Sequence, residues 1–515
     1  MRLKIALASA AVAVAAGAVV VAASARHGAK QAAPDEVNLS VSQAVAISKP
    51  LGAVPARRTV HLTVALHGRL APRVPGFHVT WWKGDPIAAL DGPAAAAESL
   101  FHVALHRYAS PAGRTFYAAD RAPSLPAGLT GVTGLENWTR GQFHAVRPGG
   151  FSPQDTIAFY DIGPLRKAGL DGSGETIVLP EQFDPAMVPA IRRDLATWAS
   201  HYAVTPFDVS FRSDKSWGSV NHDVANGALG EVALDLEVIH GIAPKAKLVV
   251  YLIADDPNLW PRSEAAMVRE QPHAIISDSY GFPEALIPNQ SVANVQQAPW
   301  VQAASQGMTH YVASGDLGAW DAGQKQALTV DFPSALPAVT AVGGTTAFMS
   351  NQGGYLRELA WGSPLSQSGA GGGVSKFWAR PSWQRGAGVL QSFSNGNRQV
   401  PDVAAIADSS TGYSLFFDKR QHEVGGTSAA APLWAAVTAL IDQGLRGDGV
   451  RAVGFANPAL YTIARTHPGV FHDVTGGNNL YYPAGPGWDF VTGWGTPDVT
   501  RLAVAWEAYL KAGGR

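Results

Sequence analysis

From about residue 150 onward, short apolar runs alternate with stretches of helical periodicity, and this pattern constrains the fold most. The strand-like runs are TIVLP (176–180), KLVVYLI (247–253), HAIISDSY (273–280), THYVASG (309–315) and AVTAVGG (338–344). The helical stretches between them are PAMVPAIRRDLATWASHYAV, ALGEVALDLEVIHGI and PWVQAASQGM. Continuous apolar strands are typical of a sheet buried on both faces. The pattern predicts an α/β fold with a doubly wound, mostly parallel sheet and helices on both faces.

Composition narrows the class of protein. The chain has 515 residues, 46% of them hydrophobic, which is enough for one large domain and a smaller one. Charged residues are 15% and the net charge is -1, so neither nucleic acid nor an acidic membrane surface is favoured as a partner. Because the chain contains no cysteine, disulfides, thiolate metal sites and a cysteine nucleophile are excluded.

The first residues have the features of a secretory signal. Arg2 and Lys4 precede a long apolar stretch that ends at Ala23-Ser24-Ala25, so residues 1–25 are predicted to be a cleaved signal peptide. The pattern predicts a secreted, extracellular protein with no further membrane contact. An uncleaved membrane anchor stays open as the alternative, because the stretch is long.

Two segments separate this signal from the large domain. Residues 26–58 are rich in Ala, Pro and Ser and are predicted to be an unstructured linker. Residues 59–146 combine strand-like TVHLTVALHG, GFHVTWW and AGRTFYAAD with helical PAAAAESLFHVAL, which predicts a small α+β unit. The turn-rich RPGGFSP ends this unit, so the large domain is predicted to span residues 147–515.

Carboxylates stand at two places where such a sheet would carry its site. Glu231 and Asp235 in GEVALDLE share one helix face, with a solvated acidic face as the alternative reading. Asp316 in VASGDLGAW ends an apolar strand between Gly315 and Gly318, where an Asx turn is the alternative.

Ser428 in GGTSAAAPLWAA lies at the start of an apolar helix, either as a helix cap or as a nucleophile. A nucleophilic serine needs a base, and His222 in NHDVANG is the nearest histidine candidate against an ordinary loop histidine. The chain lacks a G-x-S-x-G motif, which argues against an α/β-hydrolase. Carboxylates are the remaining bases.

Several motifs in order resemble the sedolisin family, the serine-carboxyl peptidases related to the subtilisin fold. They are GEVALDLE, SGDLG, DFPSALPAVTAVGGTT, GAGGGVSKFWARPSWQ, VPDVAAIAD and GGTSAAAP. The resemblance implies an acid-acting endopeptidase with Ser428 as nucleophile and Glu231 as general base. It implies that Asp235 orients Glu231 and that Asp316 stabilises the oxyanion. A carboxylate base still works at acidic pH, where histidine is protonated.

Two acidic residues and a glycine-rich segment extend this reading. Glu181 and Asp184 in PEQFDP are candidates for a wider carboxylate network, although this stretch departs from the glycine-rich turn expected of the family.

In FHDVTGGNNLYYPAGPGWDF, the resemblance implies one structural Ca²⁺. Its ligands would be the side chains of Asp473 and Asp489 and the carbonyl groups of Val474, Gly485 and Gly487. A glycine-rich surface loop is the alternative.

The resemblance also implies that residues 59–146 are a propeptide, shortened at its N-terminal part, of a self-processing zymogen. The segments carrying it are LFHVALHRYASPAGRTFYAAD and LPAGLTGVTGLENW. Cleavage near Gly149 to Gln154 would release a monomeric enzyme of about 365 residues that acts on proteins or peptides. The alternative is a catalytically silent homologue that binds peptides in the same cleft.

Overall fold

A computed structural model describes residues 41–67, 74–111, 113–139, 142–143, 150–323, 327–350, 353–364 and 366–514. Within these ranges, no helix combines the length and the apolar character needed to cross a membrane. The predicted signal peptide, residues 1–25, lies outside them.

The N-terminal unit contains two antiparallel sheets. Its helices are α1 (Val41–Ile47) and α2 (Ala94–Phe101). Its strands are β1 (Lys49–Ala53), β2 (Thr59–Leu66), β3 (His78–Thr80), β4 (Ile87–Pro93), β5 (Leu105–Ala109), β6 (Thr115–Ala119), β7 (Leu129–Thr133) and β8 (Gln142–Phe143). One sheet has the order β3-β4-β2-β7 and the other β1-β5-β6. The α+β character predicted for this region is therefore present.

The prediction of an unstructured linker over residues 26–58 is wrong from residue 41 onward. Strand β1 pairs with β5, and Ala44 of α1 is buried in a small cluster with Phe116 and Trp138. This burial stabilises the segment although its own composition is weakly patterned. Residues 26–40 lie outside the described ranges.

The large domain is built on an eight-stranded sheet in the order β10-β11-β9-β12-β14-β16-β17, with β22 also pairing with β16. Its strands are β9 (Thr176–Glu181), β10 (Val209–Arg212), β11 (Lys247–Leu252), β12 (Ile275–Asp278), β14 (Thr309–Ala313), β16 (Thr340–Met349), β17 (Tyr355–Ala360) and β22 (Val403–Ile406). Only β17 runs antiparallel within this sheet.

Shorter strands and ten helices complete the large domain as described. The shorter strands are β13 (Tyr280–Pro283), β15 (Asp331–Phe332), β18 (Gly362–Ser363), β19 (Ser368–Gly369), β20 (Gly373–Ala379), β21 (Asn397–Val400), β23 (Tyr413–Phe417), β24 (Arg420–Val424), β25 (Phe471–His472) and β26 (Thr496–Pro497). The helices are α3 (Pro153–Phe159), α4 (Gly163–Lys167), α5 (Val188–His201), α6 (His222–Gly227), α7 (Leu229–Ile242), α8 (Trp260–Glu270), α9 (Gln290–Ser305), α10 (Thr427–Gly447), α11 (Asn457–Thr466) and α12 (Val499–Lys511).

Both faces of the central sheet are buried under helices. In β9, Ile177 and Leu179 join the core cluster that contains α5, α7 and α10, whereas Val178 joins the cluster of α8 and α9. Alternate residues of one strand thus enter two different apolar layers. The predicted doubly wound fold is confirmed, and it brings the carboxyl ends of β9, β12 and β14 to one edge.

Candidate active site

Glu231 and Asp235 lie one turn apart on α7, and both are buried, with 1% and 0% of their surface exposed. The alternative of a solvated acidic face is therefore wrong. Burial keeps two like charges close together in a region of low dielectric, which favours protonation of one of them. The pair has the character of a functional site rather than of a surface helix.

Ser428 is the second residue of α10 and is completely buried. Gly426, with φ 116°, precedes this helix as its N-cap, and no side chain caps it. Glycine tolerates this backbone angle at little cost. The reading of Ser428 as a helix cap is thus not supported, because the serine lies inside the first turn.

A second serine, Ser279, joins α7 to α10. The Ser279 hydroxyl lies 2.8 and 3.0 Å from the two carboxylate oxygens of Asp235 and 3.2 Å from the Ser428 carbonyl oxygen. Ser279 follows β12 directly, at the carboxyl end of a central strand. Because these bonds join three elements, the carboxylate pair and Ser428 belong to one site.

Asp316 lies against the residue that precedes Ser428. Its Oδ1 accepts hydrogen bonds from both the amide and the hydroxyl of Thr427, each at 2.8 Å. Asp316 is buried, and Gly315 before it has φ 104°. The structure therefore brings the four predicted residues Glu231, Asp235, Asp316 and Ser428 to one edge of the sheet.

Glu181 at the end of β9 adds a third carboxyl group to the α7 pair. Burial and the neighbouring charge of Glu231 raise the pKa of Glu181 well above its usual range. Burial, with Glu181 and Glu231 beside it, likewise raises the pKa of Asp235. Because these carboxyl groups act on one another, the network keeps a proton at pH values above those at which isolated carboxyl groups lose theirs.

Asp184 and His222 take a different place. The Asp184 carboxylate accepts a hydrogen bond from the Ala186 amide and lies 3.0 Å from Nδ1 of His222. The His222 side chain is 70% exposed. This surface pair caps a turn, so the structure supports neither Asp184 as part of the buried network nor His222 as the base for Ser428.

An open pocket adjoins Glu231. The start of α7 forms one wall, and the hairpin of β23 and β24 forms the other with Phe417, Arg420 and His422. The ring of Phe417 lies close to Gly230, where a Cβ atom would meet it at 3.1 Å. This pocket offers room for a substrate side chain next to the carboxylate network.

Two hydrogen bonds link predicted calcium ligands in one C-terminal segment. The Gly485 amide donates to Asp489 at 3.1 Å, and the Gly487 amide donates to Asp473 at 2.9 Å. Asp489 is buried and accepts further bonds from neutral donors, and burial raises its pKa to about 6. The carboxylate oxygens of Asp473 and Asp489 are ligands of the kind that a hard cation such as Ca²⁺ prefers, and the glycine contacts to them are made by amide groups. Across the described residues, no three His, Cys, Asp or Glu side chains group as metal ligands, so backbone oxygens would complete such a set.

The loop that carries Asp316 is bonded to this C-terminal region. The Gly318 amide donates to the Gly369 carbonyl at 2.8 Å, and the Ala319 amide donates to the Asn479 carbonyl at 3.2 Å. A Cβ atom on Gly318 would lie 2.2 Å from the Asn479 oxygen. Glycine is required here because two backbones approach each other closely.

The fold and the site define a serine peptidase of the subtilase class. The family model described as "Subtilase family" matches residues 220–495. Kumamolisin of Bacillus sp. (strain MN-32) is 35% identical over 451 residues, which cover 81% of this chain and 78% of that protein. Sedolisin of Pseudomonas sp. (strain 101) is 27% identical over 474 residues, which cover 83% and 75%.

A solved structure agrees with these relatives. Pseudomonas sedolisin, a serine-carboxyl proteinase complexed with two molecules of pseudo-iodotyrostatin, matches with a TM-score of 0.62 and 26% identity. The match covers 72% of this chain and all of that one. The chain belongs to the sedolisin family and is a serine-carboxyl peptidase.

Ser279 and Thr427 are site residues that sequence reasoning missed. Both adjoin a predicted feature, since Ser279 is the penultimate residue of the run HAIISDSY and Thr427 precedes Ser428. The rule that singled out Asp316, a polar residue at the end of a buried parallel strand, applies equally to Ser279. The sequence therefore contained the signal that could have identified Ser279, a polar residue directly after a buried strand.

Proposed function

We propose that this chain is a secreted, acid-acting endopeptidase, made as a self-processing zymogen, with Ser428 as its nucleophile. The observation that carries the proposal is the Ser279 bridge between Asp235 and Ser428, with Asp316 held by Thr427. These contacts join a buried carboxylate pair, a buried serine and a further carboxyl group in one site. Such a set supplies a base, a nucleophile and an oxyanion donor.

In the proposed reaction, Ser428 Oγ attacks the scissile carbonyl carbon while its proton passes to Glu231. Asp235 orients Glu231, and protonated Asp316 donates a hydrogen bond to the oxyanion. When the intermediate collapses, the C–N bond breaks and the leaving amine takes the proton from Glu231. Water then attacks the acyl carbon while Glu231 accepts its proton. When this second intermediate collapses, the bond between the acyl carbon and Ser428 Oγ breaks, and Oγ takes the proton from Glu231.

The N-terminal unit supports the zymogen proposal, with the propeptide now starting at or before α1 rather than at residue 59. Strand β8 pairs antiparallel with β13, and in the backbone register Phe143 is the partner of Tyr280, the residue after Ser279. Strand β8, which precedes the expected cleavage region at residues 149–154, thus pairs with the strand that follows Ser279, an arrangement like that of a substrate strand. Arg269 of α8 also pairs with Asp85 of the unit at 2.5 Å.

A structural Ca²⁺ belongs to the same proposal. Asp473 and Asp489, with the carbonyl groups of Val474, Gly485 and Gly487, would hold it. When bound, the ion would cross-link the C-terminal loop of a chain that has no disulfides. The signal peptide at residues 1–25, secretion, the monomeric state and action on protein substrates complete the proposal.

The test is a pH profile of peptide-library cleavage by the purified chain, with mass spectrometry locating the cut sites and the mature N-terminus. Ser428→Ala should abolish cleavage, whereas Ser263→Ala should not. Ser263 is a matched control because it is buried on α8 and its hydroxyl bonds only to the nearby Trp260 carbonyl in the described contacts. Retained cleavage in Ser428→Ala would refute the proposal.

The second candidate, a silent peptide-binding homologue, makes a different prediction for a peptide aldehyde. An active serine forms a covalent hemiacetal with the aldehyde, and the adduct at Ser428 is visible in a crystal structure. A silent homologue would bind the same peptide without that bond. The filled positions Glu231, Asp235, Asp316 and Ser428 favour the active enzyme.

A further inference from the structure

We infer that Ser279 is a positioning residue of this site, whose hydroxyl couples the proton state of Asp235 to the main chain of Ser428. The inference rests on the proposed function, since it assigns Ser279 a part in the same reaction. Ser279 is completely buried, and its Oγ lies within 3.2 Å of both residues.

The first half of the coupling concerns Asp235. A hydroxyl carries one proton and also accepts hydrogen bonds. When Asp235 is ionised, the Ser279 hydroxyl donates to its carboxylate, at 2.8 Å from Oδ1. When Asp235 is protonated, its carboxylic acid donates a hydrogen bond to Ser279 Oγ instead. The Ser279 hydroxyl then donates its own hydrogen bond to the Ser428 carbonyl oxygen.

The second half concerns a donor that α10 lacks. In an α-helix, the carbonyl of residue 428 accepts the amide hydrogen of residue 432. Residue 432 is Pro432, inside α10, and proline has no amide hydrogen. The Ser279 hydroxyl, 3.2 Å from the Ser428 oxygen, supplies a donor at this point of the nucleophile's helical turn.

The surroundings hold Ser279 in this place. The preceding Asp278 accepts the Tyr280 amide at 3.1 Å, which closes a turn around Ser279, and its other oxygen lies 3.5 Å from His310 on β14. The titratable groups that act on Asp235 are Glu181 on β9 and Glu231 on α7. Tyr280 on β13 also lies beside this network.

The central experiment compares Ser279→Ala with Ser277→Ala in the full chain. Ser277 is on the same strand and equally buried, but its hydroxyl has no hydrogen-bond partner among the described residues. Ser279→Ala should lower kcat about ten- to a hundredfold with a much smaller change in KM. Because it removes a donor to ionised Asp235, it should also move the acidic limb of the kcat/KM profile to higher pH. Ser277→Ala should leave both unchanged.

A second variant tests the hydrogen bond to the Ser428 carbonyl separately from the hydrogen bond to Asp235. Pro432→Ala restores an amide hydrogen to α10, so it should raise the melting temperature more in the Ser279→Ala background than in the wild type. It should not restore the acidic limb, because Asp235 still lacks its donor. If Pro432→Ala raises the melting temperature equally in both backgrounds, Ser279 does not replace the missing helical donor, and the inference is overturned.

Failure of this inference is distinguishable from failure of the proposed function. If wild-type cleavage is lost in Ser428→Ala but Ser279→Ala keeps the wild-type kcat and pH profile, only the role of Ser279 is refuted. If Ser428→Ala remains active, the proposed function itself is refuted, whatever Ser279→Ala does.

Discussion

The amide and the hydroxyl of Thr427 both lie 2.8 Å from the same oxygen of Asp316. The residue before the proposed nucleophile thus sets the orientation of the proposed oxyanion donor. Thr427→Val keeps the side-chain shape and removes the hydroxyl, so it should lower kcat about tenfold while KM changes little. Steady-state kinetics on one peptide tests this.

Thr438 provides the control for that substitution. It is buried on the same helix, and its hydroxyl lies 2.8 Å from the hydroxyl of Tyr311, which is not one of the proposed catalytic residues. Thr438→Val should lower the melting temperature without lowering kcat. Equal kcat values for both valine variants would contradict the role of Thr427.

Asp316 itself should tolerate an amide better than a methyl group. Asp316→Ala removes the proposed oxyanion donor and should lower kcat about a hundred- to a thousandfold. Asp316→Asn retains an N–H donor and an oxygen that accepts from Thr427, so it should keep more activity. Comparable losses in the two variants, measured across the pH range, would argue against hydrogen-bond donation by this residue.

Stability should fall as the pH rises from about 4 to about 7. Burial raises the pKa of Glu358 from 4.5 to about 7 and that of Asp442 from 3.8 to about 7. Between these pKa values the folded state holds protons that the unfolded state has released. This stabilisation is therefore complete at pH values below the pKa of the unfolded state, and it is lost as the pH rises through the pKa of the folded state. Each pKa unit corresponds to about 1.4 kcal/mol, so the two groups together change the free energy of unfolding by an amount on the order of several kcal/mol.

Melting temperatures of the Ser428→Ala chain between pH 4 and 8 test this without self-digestion. Glu358→Gln should flatten the pH dependence, because the amide does not titrate. The exposed Glu423 is the matched control, and Glu423→Gln should leave the slope unchanged. A melting temperature that rises with pH would contradict the prediction.

Removing calcium should lower the melting temperature of the Ser428→Ala chain by several degrees at neutral pH, because an ion that binds only the folded state stabilises it. Asp473→Asn should abolish the difference between chelator and added Ca²⁺. Asp418→Asn, at an exposed carboxylate paired with Arg420, should preserve it. A chelator effect that survives in Asp473→Asn would place the ion elsewhere.

Loosening the N-terminal unit should speed maturation. Arg269 pairs with buried Asp85 and lies 4.3 Å from the ring of Trp82, so Arg269→Gln should weaken the docking of this unit. The full-length chain should then yield mature enzyme faster, as followed by gel and by mass spectrometry. Arg446→Gln breaks an ion pair within the large domain and should leave the rate unchanged.

The parts predictable from sequence were those with a local signature. Apolar runs such as TIVLP identified the buried strands, and the ordered motifs around Glu231 and Ser428 indicated the family. The structure shows that these residues meet, whereas their catalytic roles remain predictions. By contrast, α1 could not be recognised, because its stability depends on contacts of Ala44 with Phe116 and Trp138 far along the chain.

The same distinction separates Glu181 from Asp184. Both acidic residues follow the apolar run TIVLP within four positions, and sequence alone treats them alike. The strand end directs Glu181 into the buried network, whereas Asp184 starts a surface turn and meets His222. The difference arises from tertiary packing, which a sequence pattern does not contain.

The bond between Ala319 and Asn479 has a consequence for the order of synthesis. A ribosome makes the Asp316 loop and Ser428 well before the segment around Asn479 that supports the loop. A nascent chain therefore holds Ser428 without this support for the Asp316 loop until the end of the large domain has been made and folded. Under the proposed mechanism, the late position of this support would delay hydrolysis during synthesis, independently of the N-terminal unit.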